Sequence, residues 1–438
     1  MLGAMHSPHP HDGPLARLRR GHEKLVLDLL RRHGPLSRAG LGSHTGLSRT
    51  TLYDIVGGLV TAGAVVASAP AAGTGRRGRP VETLSLNPAA GQAVGIDFAR
   101  RAVHVAAVNV AHEVVGSASR AHPAGLPWPE RIALARQLVD GLADGAFGLG
   151  SVTGIGVGVV GPVGAVDAPA DESSARPSDP PSDAGSAPPS DPPTDAGSAP
   201  GPAAPGGRPD GAGAVRELLG AAFGVPVLVD NNTRLAALAE SVWGSATGAR
   251  DVLYLRLSHG VGGGLVIRGA LHAGAHGLSG ELGHITVDPA GPPCDCGGRG
   301  CLETVASVGA VLDAHREAGG RSADLAEFLA AASGGEPAAL GVMRTVGGHV
   351  GTVLAAVCNA VGPGVVVVGG ELAGAGPLLL DPVQEALAAQ VLPLARSRLD
   401  LRRAALGEYG GALGGIALVL QTTPLLSHYR RPDPEEAP

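Results

Sequence analysis

The sequence predicts an α/β protein: a winged helix-turn-helix at the N-terminus, then a larger α/β domain that comes as two lobes. Three observations carry this. Apolar residues recur at helical spacing in short stretches between residues 21 and 66, and a basic loop then separates two strand-like runs. From residue 91 onward, buried strand-like runs alternate with helical ones across Gly turns. The charge is also divided: residues 1–90 hold eleven of the 33 Lys/Arg but five of the 39 Asp/Glu, on a chain of net charge -6. A basic N-terminal piece on an acidic body is expected to be the part that meets a polyanion.

Residues 1–20 are expected to be disordered, and 21–87 to form the winged helix. Its first helix, His22–Arg32, carries Leu25, Leu29 and Leu30 on one stripe, and Gly34-Pro35 stops it. Ser37 can cap a weak second helix, Arg38–His44, in which Gly40 and Gly42 each cost stability. After the Thr45-Gly46-Leu47 turn, Ser48 caps a third helix, Arg49–Thr61, with Leu52, Ile55, Val56 and Leu59 inward. Strands begin at Val65 and Thr83, and Arg76, Arg77 and Arg79 lie in the loop between them.

The second domain is expected over 91–421, with a tail over 422–438. Ala93–Phe98 and Val103–Val110 suit adjacent strands, Trp128–Leu142 a helix, and Gly154–Val160 a buried strand. Residues 167–213 interrupt the pattern with a nearly exact 12-residue repeat from Ser178 and Ser190. Such a Pro/Ser/Asp/Gly tract buries too little apolar surface to offset its ordering entropy, so it reads as a disordered insertion. A helix up to Phe223, a strand Val225–Val229, a helix Thr233–Trp243 and strands Val252–Leu257, Leu265–Arg268 and Val365–Val368 follow.

The N-terminus lacks the apolar region of a signal peptide, and no run of about 18 apolar residues suggests a membrane span. Three of the four cysteines fall within eight residues. That clustering points to metal ligation in a reducing, cytoplasmic setting rather than to disulfides. His284, Cys294, Cys296 and Cys301 have the spacing H-x9-C-x-C-x4-C, and three thiolates with one imidazole complete a closed tetrahedral zinc site. A closed site leaves no position for substrate, so the expected role is structural. Cys358, alone on an apolar stretch, reads as a small core residue. Glu281, His284 and Glu303 would be pinned together by the metal, and suit hydrogen bonds to sugar hydroxyls.

The runs Gly280-Glu281-Leu282-Gly283-His284 and Cys294-Asp295-Cys296-Gly297-Gly298-Arg299-Gly300-Cys301-Leu302-Glu303 resemble the signature of the ROK family (repressors, open reading frames, kinases). The resemblance spans residues 22 to about 421 outside the insertion. Gly78-Arg79-Pro80 and Leu84-Ser85-Leu86-Asn87-Pro88 are similar to the repressor branch. The family implies an actin-like, two-lobed sugar-kinase fold and homodimers or homotetramers. Its kinases place a catalytic Asp in an Asn-Asp-x-Asn segment, where the carboxylate takes the proton from the sugar hydroxyl. The matching run here is Val229-Asp230-Asn231-Asn232-Thr233-Arg234, with Asn232 at the Asp position. An amide has no useful basic site, so no catalytic residue is expected.

The resemblance also implies a first phosphate loop, which here reads Asp97-Phe98-Ala99-Arg100-Arg101 and lacks the family's Gly and Thr. The second, Gly260-Val261-Gly262-Gly263-Gly264, is better kept, and Gly369-Gly370 resembles the adenosine-side turn. ATP is therefore disfavoured. Asn231, Glu281, His284 and Glu303 match the hydroxyl-binding positions, Asn232 could still donate a hydrogen bond, and together they would take a sugar or sugar-phosphate effector. The third helix is expected in the major groove of a duplex operator, with Ser48, Arg49, Thr50, Thr51 and Tyr53 near its N-terminal end and Arg76, Arg77 and Arg79 on phosphates or in the minor groove. Two other classes remain: an active sugar kinase fused to a DNA-binding unit, and a constitutive DNA-binding module that uses the zinc domain to dimerise.

Overall fold

A computed structural model describes residues 14–61, 63–68, 82–87, 91–109, 112–142, 152–161 and 212–422. The three arginines expected in the wing, Arg76, Arg77 and Arg79, lie outside the described residues, as do most of the repeat insertion and the tail.

The N-terminal unit runs α1 (Pro14–His33), β1 (Leu36–Ser37), α2 (Arg38–Thr45), α3 (Arg49–Thr61), β2 (Val65–Ser68) and β3 (Thr83–Leu86). Helix α1 starts at Pro14, inside the stretch expected to be disordered. Proline is well suited to a first helical turn, where its missing N–H has no partner to lose. Further along, Arg19 pairs with Glu23 and, across to α3, with Asp54. Leu25, placed on the apolar stripe by spacing, is exposed, and Val26 takes the inward position. Ser37 caps α2 by accepting from the Gly40 N–H at 3.1 Å, and Gly46 ends it at φ 66°. Ser48 accepts from the Thr51 N–H at 3.1 Å, so both expected caps form. Leu41, Leu52, Ile55, Val56 and Leu84 meet Val26, Leu27 and Leu30 in a closed core, and the sheet order is β1-β3-β2, all antiparallel.

The first lobe contains β4 (Gln92–Phe98), β5 (Ala102–Asn109), β6 (Val114–Ala121), α4 (Trp128–Leu142), β7 (Val152–Val159), α5 (Ala212–Phe223) and β8 (Val227–Asn231). Its sheet order is β6-β5-β4-β7-β8, with β6, β5 and β4 antiparallel and β4, β7 and β8 parallel. After α6 (Asn232–Val242), the second lobe contains β9 (Val252–Leu257), β10 (Val261–Ile267), β11 (Ala270–Leu271), α7 (Glu303–Ala306), α8 (Val308–Glu317), α9 (Leu325–Ser333), α10 (Pro337–Val361), β12 (Val365–Gly369), α11 (Pro377–Gln390), α12 (Pro393–Arg396) and β13 (Asp400–Arg403), in the sheet order β11-β10-β9-β12-β13. Helix α10 is long and apolar enough to span a bilayer by length and composition, but it packs along α11 and puts Met343, Val350 and Leu354 in the core. Cys358, on the same helix, is a buried core residue whose thiol burial pushes up to about 11.

The last helix among the described residues, α13 (Gly410–Thr422), returns to the first lobe and lies against β4, β7 and α6. The approach is backbone on backbone. A Cβ on Gly95 would overlap the Ala412 carbonyl, one on Gly156 the Gly415 carbonyl, and one on Gly414 the Leu235 carbonyl. Glycine is required at these places by contact distance rather than by φ. The buried Glu240 on α6 fastens the junction further. Its Oε1 accepts from the N–H groups of Ala405 and Leu406, each at 2.9 Å, and its Oε2 accepts from the Ser245 N–H at 2.7 Å and hydroxyl at 3.0 Å.

Candidate functional site

The cysteine segment is built by short reversals. The Gly297 N–H donates to the Cys294 carbonyl, the Cys294 N–H to the Gly298 carbonyl, and a bridge pairs Thr286 with Cys301. Gly300 sits at φ 59° with the Asp288 carbonyl where a side chain would begin, so only glycine fits between Arg299 and Cys301. These turns bring one ligand atom each from His284, Cys294, Cys296 and Cys301 within 4.8 Å of one another. Cys294 Sγ stands 3.6 Å from His284 Nδ1, and Cys296 Sγ stands 3.6 Å from Cys301 Sγ. Tetrahedral ligands at zinc's ordinary bond lengths lie roughly 3.5–3.8 Å apart, so the donor set fits a tetrahedral divalent ion. His284 Nδ1 faces the thiols while Nε2 faces the Glu281 carboxylate at 4.0 Å, the side from which a carboxylate can orient a ligating imidazole. The Gly298 N–H pulls the Cys296 thiol below its usual range, whereas burial pushes Cys301 up to about 12. A bound cation would reverse the second effect by favouring thiolate.

Next to this cluster, Glu303 accepts from the Val261 N–H at 2.8 Å, and the Gly263 N–H donates to the Gly280 carbonyl at 2.7 Å. The cysteine segment is thus fastened to the Gly-rich strand β10. Four of the five residues expected to form the second phosphate loop, Val261 to Gly264, belong to that strand and pair with β9, leaving Gly260 at the turn. A Cβ on Gly263 would meet Leu282, and one on Gly264 would meet Ala237, so these glycines serve close packing.

The segment expected to hold the catalytic and hydroxyl-binding groups spans the end of β8 and the start of α6. Asn231 caps α6, its Oδ1 accepting from the Thr233 N–H at 2.8 Å and the Arg234 N–H at 3.2 Å, while Nδ2 donates to the Gly161 carbonyl at 2.8 Å. Asn232 is 5% exposed and its Nδ2 donates 3.0 Å into the protein, to Asp97 Oδ1. Asp97 is fully buried, and its Oδ2 has no hydrogen-bond partner among the described residues. Burial raises this carboxyl above the ordinary range, against the opposing pull of Arg256, the Asn232 amide and His104. Asp230 is already engaged: it pairs with Arg234, which also donates to the Gly277 carbonyl, and it receives the Asn231 N–H at 2.6 Å. A carboxylate held by a buried guanidinium is a poor general base.

On the N-terminal unit, Ser48, Arg49, Thr50 and Tyr53 are exposed along the first turns of α3, and Thr51 is half-buried. Sequence reasoning missed Arg38. Its guanidinium lies 4.8 Å over the Tyr53 ring and pairs with Glu82 at the foot of the wing, linking α2, α3 and β3. No periodicity marks such a residue, because it joins segments far apart in the chain.

A two-lobed α/β body with two helices between its sheets, a cluster of three cysteines and one histidine, and a helical N-terminal unit with an antiparallel hairpin together define a sugar-kinase-like fold with an added module. Residues 212–422 match the ROK family model, so this part of the chain is a ROK family domain. It is 37% identical to a glucokinase of Halalkalibacterium halodurans over 45% of this chain and 64% of that protein, so the match spans under two thirds of the kinase. It is 24% identical to the xylose repressor of Bacillus spizizenii over 91% of this chain and 95% of that protein. Among solved structures, a ROK family transcriptional regulator described as a homologue of the E. coli MLC protein superposes with a TM-score of 0.70 at 24% identity, covering 93% of this chain and 97% of that one.

Proposed function

We propose that this chain is a DNA-binding transcriptional regulator, a repressor controlled by a sugar or sugar phosphate bound in a ROK domain that has lost its kinase chemistry. The observation that carries this is the match along nearly the whole chain to a xylose repressor, N-terminal unit included. In this reading, α3 enters the major groove, with Arg49 and Thr50 reading base edges and Arg38 holding Tyr53 and the wing in register. Arg76, Arg77 and Arg79 add phosphate contacts. Zinc on His284, Cys294, Cys296 and Cys301 is structural: it fixes Glu281, His284 and Glu303 as the sugar-facing set, with Asn231 beside them and Asn232 supporting that end of α6 from within through Asp97. The working unit is a homodimer or homotetramer that acts in the cytoplasm, with residues 21–87 as the DNA-binding domain and 91–421 as the effector domain.

Loss of catalysis rests on Asn232 at the position of the base and on Asp230 being occupied by Arg234. A kinase reading keeps one argument in its favour, the identity to a glucokinase. One experiment separates them. The purified chain is offered duplex DNA selected from a random library, with and without xylose, glucose and N-acetylglucosamine, while ADP release is followed with the same sugars and ATP. Salt-sensitive DNA binding that one sugar alters, without ADP release, supports the regulator. ADP release with no DNA binding would overturn it in favour of the kinase.

A further inference from the structure

Helix α6 begins at the candidate effector residues Asn231 and Asn232 and ends beside the apolar cluster shared with the N-terminal unit. Its start is Asn231 and Asn232, whose amides hold Gly161 and Asp97. Eleven residues at about 1.5 Å each make it roughly 16 Å long. Its C-terminal cap is the half-buried Trp243, whose indole Nε1–H donates to the His112 carbonyl at 3.0 Å, with the two rings edge to face at 6.4 Å. His112 occupies the β5–β6 turn at φ 64°, a left-handed conformation uncommon outside glycine that histidine adopts more readily than most side chains. Arg31 of α1, which pairs with Asp28, lies near enough for its charge to act on His112. Burial, and after it the Arg31 charge, pushes that imidazole down to about 4, so it is neutral at physiological pH. Arg31 keeps a buried Nε with no hydrogen-bond partner among the described residues. The apolar contacts are continuous across this boundary: Val26, Leu27 and Leu30 of α1 belong to one cluster with Ala239 of α6 and with Ala412, Leu413 and Ile416 of α13, and Trp243 packs against it.

We infer that α6 acts as the coupling element between the sugar site and the DNA-binding unit, with Trp243 and His112 as the joint at which a shift of the helix is passed to α1. The inference rests on the regulator reading above and names the residues that would execute its control. A ligand that favours one setting of Asn231 and Asn232 biases the position of the whole helix, because a hydrogen-bonded helix of this length moves as a unit. At the far end the indole donates to a main-chain carbonyl in a constrained turn. A shift at Trp243 therefore displaces the turn beside Arg31 rather than being absorbed by a side-chain rotation. The coupling is a difference in free energy between two arrangements, and the joint is where that difference is expressed.

The test uses the full chain, selected duplex DNA, and xylose, glucose and N-acetylglucosamine as probes. Trp243→Phe keeps an aromatic ring and removes the Nε1–H, and Arg31→Gln removes the charge on the other side of the joint. Sugar affinity, read by calorimetry, and DNA affinity without sugar are expected to stay within about twofold of wild type, while the sugar-induced change in DNA affinity falls below about twofold in each variant. Sugar-dependent hydrogen exchange in α1 is expected in wild type and lost in Trp243→Phe. Variants that retain the full wild-type response would overturn the inference and leave the regulator reading standing. A wild-type protein that binds sugar with no change in DNA affinity would overturn the reading and the inference together. If Trp243→Phe fails to fold, Arg31→Gln and the exchange pattern in wild type decide.

Discussion

Asn232→Asp is the obvious attempt to restore a kinase, and the structure says what it meets. The introduced carboxyl would stand where the amide now donates to Asp97 Oδ1 at 3.0 Å, in a fully buried setting. Two carboxylates about 3 Å apart repel by about 5 kcal/mol at an effective dielectric near 20. Keeping one proton at pH 7 instead costs about 4 kcal/mol relative to an ordinary carboxyl of pKa near 3.9. Protonation is the cheaper course, so the pair keeps a proton and one acid donates to the other, as in paired-carboxylate sites. The folded variant then binds more protons than its unfolded chain, and its stability must fall as pH rises. The deficit against wild type is expected to grow as pH rises, by at most about 1.4 kcal/mol per pH unit and most steeply above the raised titration range that burial already gives Asp97 in wild type. Urea unfolding of both proteins from pH 4 to 8 measures it. A deficit that stays flat over this range would refute the argument that residue 232 shares a proton with Asp97. The same logic delays any restored ADP release to the alkaline side, where the second proton leaves.

For the proposed zinc site, chelation or Cys301→Ser is expected to lower metal content from about one ion per chain toward none and to depress Tm, read by elemental analysis beside calorimetry. Glu240→Gln turns an NH2 group toward N–H donors at one of its two occupied oxygens, and is expected to cost about 2–3 kcal/mol in urea unfolding. Gly156→Ala drives a methyl into the Gly415 backbone and is expected to cost at least about 1–3 kcal/mol; a neutral result would mean that α13 can lift from the sheet.

Much of this is legible in the sequence because it is local. Both serine caps, the inward face of α3 and the helix Trp128–Leu142 follow from spacing alone, and the cysteine spacing is enough to foresee four ligand atoms in one place. What the sequence hides is non-local. The pairing of Arg19 on α1 with Asp54 on α3 joins distant segments, and the strand character of Val261 to Gly264 depends on β9 and α6 lying alongside, since a Gly-rich run has little strand propensity of its own. The edge strand β6 escapes a sequence reading because its outer face is wet and its pattern irregular. Nor can sequence show that the Asn232 amide turns inward to Asp97, a partner 135 positions away.

The glycine seam beneath α13 has a mechanical consequence. Where side chains interdigitate, one element can turn on another only by changing rotamers, and each such change costs energy. Gly95, Gly156, Gly414 and Gly415 offer no rotamers, so the seam opposes separation and sliding into the sheet but sets little resistance to a small rotation about the contact. The C-terminal helix therefore keeps its distance from the lobe it crosses by main-chain contact, while Leu413, Ile416 and Val419 pack beside the seam.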